Sequence, residues 1–218
     1  MHRAKNVYDT TLTKANWLAT SQFLMALFGG LPHLIADGAA LTIYIKLWNE
    51  VRDIYGKGAI SVDVAKAYLW PNLPLIIGDL ILDKGLGLIP IAGSVFCYWF
   101  ARAITFRLAA LFGVLAAIDD EVSSKVLIEK VARLIQELYP RRNFFFTFLD
   151  PDQDIFIDLI ASMEGLSAVE AETRIERALR ELQGNANSEE VEPEVSDADF
   201  EVEVVENLQQ YGIVLWNG

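Results

Sequence analysis

Asp150, Asp152 and Asp154 alternate along the chain in the way that opens a calcium loop. Alternation suits a cation because successive odd positions of such a loop turn their oxygens toward one ion. Here Ile155 stands where the loop needs glycine, and Ala161 where it needs the closing glutamate. Capping of a following helix is therefore the better expectation for these acids. Gly85-Leu86-Gly87 lacks the third glycine of a dinucleotide turn and reads as a flexible turn before a helix. The stretch IYGKGAIS, residues 54–61, lacks the G-x-x-x-x-G-K-[ST] spacing that cradles phosphate on backbone amides. Gly93-Ser94 has none of the flanking pattern of a nucleophile elbow. With only His2 and His33 available, a Ser-His-Asp site is not expected. His33, after Pro32, is expected to cap or pack at a helix entrance. Cys97 is the one cysteine, which excludes an intrachain disulfide and every multi-cysteine zinc motif. No acid, base and nucleophile converge, so the expectation is a protein that is not an enzyme and carries no cofactor and no metal.

Charges set in apolar surroundings are a better lead. Asp37, Asp79, Asp83, Arg102 and Arg107 interrupt long runs of leucine, isoleucine, alanine and aromatic residues. Such charges are costly unless paired or turned to water. We expect at least one of the three aspartates to pair with Arg102 and tie two helical stretches together. The competing expectation is that both arginines extend to solvent or lipid headgroups along their apolar stems. Arg102 and Arg107 are five residues apart, about 140° around a helix, and do not share a face.

The elements that must position these residues are helical. Apolar residues make up 53% of the 218-residue chain, and the formal charge is −12. That charge is unevenly placed. Residues 1–150 hold 15 Lys/Arg against 13 Asp/Glu, and residues 151–218 hold 3 against 17. A near-neutral apolar body thus precedes an acidic tail. No basic cluster exists to meet phosphates, so nucleic acid is not an expected partner. The N-terminus does not read as a secretory signal, because its apolar segment starts late, at Trp17.

In chain order, residues 1–14 are polar and are expected to form a flexible N-terminal arm. Trp17 to Phe28 is a short helix candidate ended by Gly29-Gly30; it falls below the ~20 residues that span a bilayer. Between Ile35 and Tyr55, Leu41, Tyr44, Ile45, Trp48, Val51 and Tyr55 recur at helical spacing, and Gly56 follows as a C-terminal glycine. Ser61 caps a short helix expected to stop before Pro71. Residues 71–93 alternate proline, glycine and apolar runs. A long helix from Gly93 or Ser94 to Ile118 holds the most apolar stretch. Another is expected from Val122 to Tyr139, with Val122, Val126, Val131, Leu134, Ile135 and Leu138 on one side. Phe144 to Leu149 reads as an aromatic strap, Asp154 to Met163 as a short helix, and Ser167 to Glu170 as a capping box for a helix to Gln183. Gly29–Gly56 and Gly85–Gly113 share a layout that suggests a degenerate internal repeat of helical hairpins. The expected fold is all-α, six to eight helices in a bundle of Gly/Pro-punctuated hairpins. Its parts are the arm 1–14, an apolar body 15–140, a short helical appendage 141–183, and a disordered acidic tail 184–218 with an apolar end.

Two blocks carry a resemblance. The first is Ala36-Asp37-Gly38-Ala39-Ala40-Leu41, then Ile54-Tyr55-Gly56 with Ser61 and Ala65-Lys66. The second is Leu88-Ile89-Pro90-Ile91-Ala92-Gly93-Ser94, then Ala103-Ile104-Thr105-Phe106. Over about residues 30–118 the chain resembles the domain of unknown function 697 family of YcjF-type inner-membrane proteins, often fused behind Era-like GTPase domains. The resemblance implies a helical domain at or in a membrane, coupled to a GTPase that this chain would have to find in another protein. It implies no catalytic residues.

Together these readings lead us to expect a non-enzymatic, membrane-associated helical scaffold or accessory protein, at the cytoplasmic face of an inner membrane or at an internal membrane. Trp17, Phe23, Phe96, Trp99 and Phe100 are the candidate membrane-facing residues. Tyr211, Ile213, Leu215 and Trp216 in the tail are candidates for docking a protein partner. The alternative is a soluble helical interaction domain that forms homo-oligomers around the same apolar segments.

Overall fold

A computed structural model describes residues 2–27, 38–81, 90–118, 125–138 and 153–186; side chains at 24–27, 38–41, 70, 73–81, 90–97 and 184–186 are left undescribed. Among the described residues every regular element is a helix. They are α1 His2–Leu27, α2 Gly38–Ile54, α3 Val62–Ile81, α4 Pro90–Ala117, α5 Lys125–Leu138, α6 Gln153–Ala161 and α7 Ala168–Ala186. The all-α expectation holds. Met1–Glu181 makes one compact unit, and of the second, Leu182–Gly218, only the last turn of α7 is described.

α4 is the axis of the first unit. From Arg102 to Ile118 every side chain except Ala103 is buried, and α1, α2, α3, α5 and α6 all pack on it. A helix apolar on every side needs such a surround. Proline at its first position costs nothing, because that N–H has no helical partner in any case. Gly93 and Ser94, expected to open the helix, lie inside it.

The largest interface joins α1 to α4, and it overturns the expectation of a flexible arm at 1–14. Ala4, Val7, Tyr8, Thr11, Ala15, Leu18 and Ala19 recur at spacings of three and four and are all buried. This is a continuous stripe. Its residues are small or carry a hydroxyl, so the segment looks polar on average while one face is not. Alanine at three of these seven places lets the two helix backbones approach closely. Thr11 satisfies its own hydroxyl on the Val7 carbonyl at 2.7 Å.

α2 follows its predicted stripe: Tyr44, Ile45, Trp48 and Val51 are buried, with Leu47 beside them. It ends in a Schellman turn. Lys57 N–H bonds to Arg52 O at 2.9 Å, Gly56 N–H bonds to Asp53 O at 2.9 Å, and Gly56 takes φ 71°. Ser61 caps α3 through its hydroxyl, which accepts the Val64 N–H at 3.3 Å. α3 does not stop before Pro71. It passes Pro71 and Pro74 to Ile81, although an interior proline costs about 3 kcal/mol. Burial of Ala65, Leu69 and Asn72, and packing against α5, offset that cost. The Asn72 amide also donates to the Tyr68 carbonyl at 2.9 Å, close to the break.

In α5 the buried face is Leu127, Ile128, Val131, Ala132, Leu134 and Ile135. Val126, expected on that face, is 52% exposed. The capping box of α7 forms as expected: Glu170 accepts the Ser167 N–H at 2.9 Å, and Ser167 Oγ lies 3.4 Å from the Glu170 N–H. Lys130 of α5 reaches Glu172 and Glu176 of α7. The Phe144–Leu149 strap, the Asp119-Asp120-Glu121 turn and the tail lie outside the described residues.

Candidate functional site

The features that offer chemistry lie at the C-terminal end of α4 and near its middle. At its C-terminal end the last carbonyls need donors from elsewhere. Ala117 O accepts the N–H of Gly165 at 3.0 Å, and Ile118 O accepts the ammonium of Lys57. A cation at a helix C-terminus also suits the helix dipole. Gly165 can serve because it takes φ 74°, a conformation that few side chains tolerate. Next to it, Tyr55 Oη donates to Glu164 Oε1 at 3.1 Å, and the Arg3 guanidinium carbon lies 5.7 Å from the Tyr55 ring centroid. Burial first, and then the Glu164 charge, hold the Tyr55 hydroxyl far above its ordinary range, with Arg3 opposing. A phenol so firmly protonated is neither nucleophile nor base. The cluster is a clasp joining the start of α1, the end of α2, the end of α4 and the turn between α6 and α7.

Higher on α4 lies a second polar level. Arg102 is 7% exposed and Arg107 4% exposed, so neither reaches solvent; the expectation that both extend outward is overturned. Arg102 Nη1 donates to Asn16 Oδ1 of α1, and its guanidinium carbon lies 5.6 Å from the Phe106 ring centroid. Of the aspartates expected to pair with Arg102, Asp37 and Asp83 fall outside the described residues, as does the side chain of Asp79. Lys14 of α1 and Glu50 of α2 form an ion pair at 2.8 Å. Thr105 gives its hydroxyl proton to the Ala101 carbonyl at 2.7 Å, which leaves Tyr44 Oη as donor toward Thr105 Oγ1 at 3.5 Å. Burial pushes the Tyr44 hydroxyl up to about 12.

These contacts also fix helix direction. Tyr8 meets Phe106 while Asn16 meets Arg102, so α1 runs antiparallel to α4. Tyr44 meets Thr105 while Trp48 stacks on Phe112 at 4.8 Å, so α2 runs parallel to α4. The C-terminus of α1 and the N-termini of α2 and α4 therefore share one end of the bundle. α3 sets out from the opposite end and leads in eight residues to Pro90. The shared end is nearly free of charge in sequence. Residues 15–36 carry none, Asp37 directly precedes α2, residues 38–45 carry none, and residues 67–101 carry only Asp79, Asp83 and Lys84. Of the rings expected to face a membrane, Trp17 is 59% exposed there, and Phe23, Trp99 and Phe100 are half-buried. The Phe96 side chain lies outside the described residues.

Among the described residues one helix is long and apolar enough to cross a membrane, Tyr98–Ala117, and it is instead 89% buried within the protein's own bundle. Among the described residues no group of three His, Cys, Asp or Glu could hold a metal ion. Asp154 stands in the first turn of α6, while Asp150, Asp152, His33, Gly85-Leu86-Gly87 and the tail residues Tyr211, Ile213, Leu215 and Trp216 lie outside the described residues. Asn16, Lys57, Glu164 and Gly165 were not singled out from sequence. Their partners lie tens of residues away, and no local pattern marks them. Compared with known proteins, the chain matches no family model, no curated protein and no solved structure.

Proposed function

We propose that this chain is a non-enzymatic helical scaffold that attaches to a membrane through the uncharged end of its bundle. One observation carries the reading: the fold gathers ends of α1, α2 and α4 that are nearly free of charge, while the Lys14–Glu50 pair and the Tyr55–Glu164 clasp sit away from them. Apolar helix ends brought together in this way gain by leaving water. Attachment is by the end of the bundle and not by a lone spanning helix, because α4 spends its apolar surface on its own neighbours. The attached surface is the cytoplasmic face of an inner membrane or an internal membrane. On the resemblance of residues 30–118, the partner served there is a separate GTPase.

A second reading is favoured by the same burial of Tyr98–Ala117. The uncharged end would then join copies of this chain into a soluble oligomer.

Flotation of the full-length chain with liposomes, followed by high-salt and alkaline carbonate washes, separates the two. Thr20→Glu puts a charge on an exposed position of the uncharged end, and Thr13→Glu puts one on an exposed position outside it. We expect the unaltered chain and T13E to float, and T20E to float poorly. A chain that never floats, yet purifies without detergent as an oligomer, would replace the membrane reading with the soluble one.

A further inference from the structure

The level of the Asn16–Arg102 bond divides the bundle, and the rings around it are of the kind that prefer a lipid–water boundary. Trp17 follows Asn16 on α1 and is largely exposed. Tyr98 and Trp99 lie one turn above Arg102 on α4, half-buried, with their rings edge to face at 5.3 Å. All three fall within about 6 Å of that bond along the helix axes, at 1.5 Å per residue. Tyrosine and tryptophan pair an apolar ring with a polar tip and collect at headgroup depth. On one side of this level lie Lys14 and Glu50, which form an ion pair. On the other side the helices are nearly without charge.

Length adds a limit. From Asn16 to the end of α1 is 11 residues, and from Pro90 to Arg102 is 12. These correspond to roughly 16–18 Å of helix. A whole hydrocarbon core is about 30 Å thick, so the described helix at this end matches the depth of one leaflet.

We infer that Trp17, Tyr98 and Trp99 form a headgroup-level belt that sets the depth of the protein, so that it enters a single leaflet and stops. The partner is the interfacial zone of a phospholipid bilayer. The body supplies little net charge, with 15 Lys/Arg against 13 Asp/Glu over residues 1–150. Entry is therefore driven by apolar burial, and a zwitterionic surface suffices. This inference rests on the membrane reading above.

The test uses the full chain with phosphatidylcholine vesicles brominated either near the headgroup or near the acyl-chain ends. Trp17→Phe and Trp99→Phe identify the signal from each ring; Trp48, in the core, stays as an internal reference. We expect the emission lost in W17F and W99F to be quenched roughly twofold or more strongly by shallow bromines than by deep ones. Binding should change little between low and high salt. Stronger quenching by deep bromines would place the rings inside the hydrocarbon and overturn the belt. Flotation without quenching of either ring would show that another surface meets the lipid, overturning the belt while leaving the membrane reading in place. Absence of flotation would overturn both.

Discussion

Gly113 of α4 presents its bare backbone to the buried side chain of Ile160 on α6. A Cβ at Gly113 would stand 2.9 Å from Ile160 Cγ1 and closer still to Cδ1. Ile160 is fully buried and cannot swing aside. Gly113→Ala should therefore destabilise the protein by about 1–3 kcal/mol, as overpacking does. This is net of the ~1 kcal/mol that alanine gains over glycine in a helix. In an Ile160→Val background, which removes Cδ1, the same substitution should cost less. Urea denaturation of the four variants of this cycle checks the coupling; equal costs in both backgrounds would refute the close approach.

The Asn16–Arg102 bond is a hydrogen bond to a buried charge, the kind worth more than a neutral one. Asn16→Ala should cost about 1.5–3 kcal/mol by leaving a guanidinium donor short of its partner. Asn16→Asp keeps an acceptor at the same place and should be milder. Chemical denaturation curves compare the two. If alanine were as well tolerated as aspartate, the bond would not be holding α1 to α4.

Alkaline stability should reflect Tyr44. Its hydroxyl is held at about 12 in the folded protein against 10.0 in its ordinary state. Between these values the unfolded chain has lost the proton and the folded chain retains it, so unfolding releases protons and stability falls as pH rises. The effect is absent below about pH 10 and grows by about 1.4 kcal/mol per pH unit toward pH 12. Tyr55, shifted in the same direction by burial and by Glu164, adds to the fall. Tyr44→Phe should change neutral-pH stability by about 1 kcal/mol or less, because Thr105 keeps its bond to Ala101. It should also flatten the decline above pH 10. Urea midpoints from pH 8 to 12 measure both.

Gly56 and Gly165 both take positive φ, and a Cβ at either would meet nothing within 4 Å. Any cost of Gly56→Ala or Gly165→Ala is thus conformational, about 1–2 kcal/mol each. Asparagine, which visits this region more readily, should cost less at both sites. Thermal melts of the alanine and asparagine pairs decide it. Equal losses for both residues would point to something other than backbone conformation.

What could be read from the sequence was whatever depends on near neighbours. The stripe of Tyr44, Ile45, Trp48 and Val51, the turn at Gly56, the cap at Ser61 and the box Ser167–Glu170 each involve residues within a few positions of one another. The 1–14 segment reads as polar because its buried stripe is built from alanine, threonine, valine and tyrosine. Hydropathy averaged over the segment hides that face. Local rules predict a stop at Pro71 because its penalty is real, and only packing of α3 on α5 outweighs it.

Local sequence is thus enough to specify a helical chain with long uncharged stretches and two arginines in an apolar run. Where those features go depends on packing between helices distant in sequence. Helix direction, fixed by contacts such as Asn16–Arg102 and Trp48–Phe112, brought separate uncharged helix ends to one end of the bundle. It also turned the most membrane-like helix inward. Apolarity specifies that a segment must leave water, and only packing specifies whether another helix or a lipid receives it.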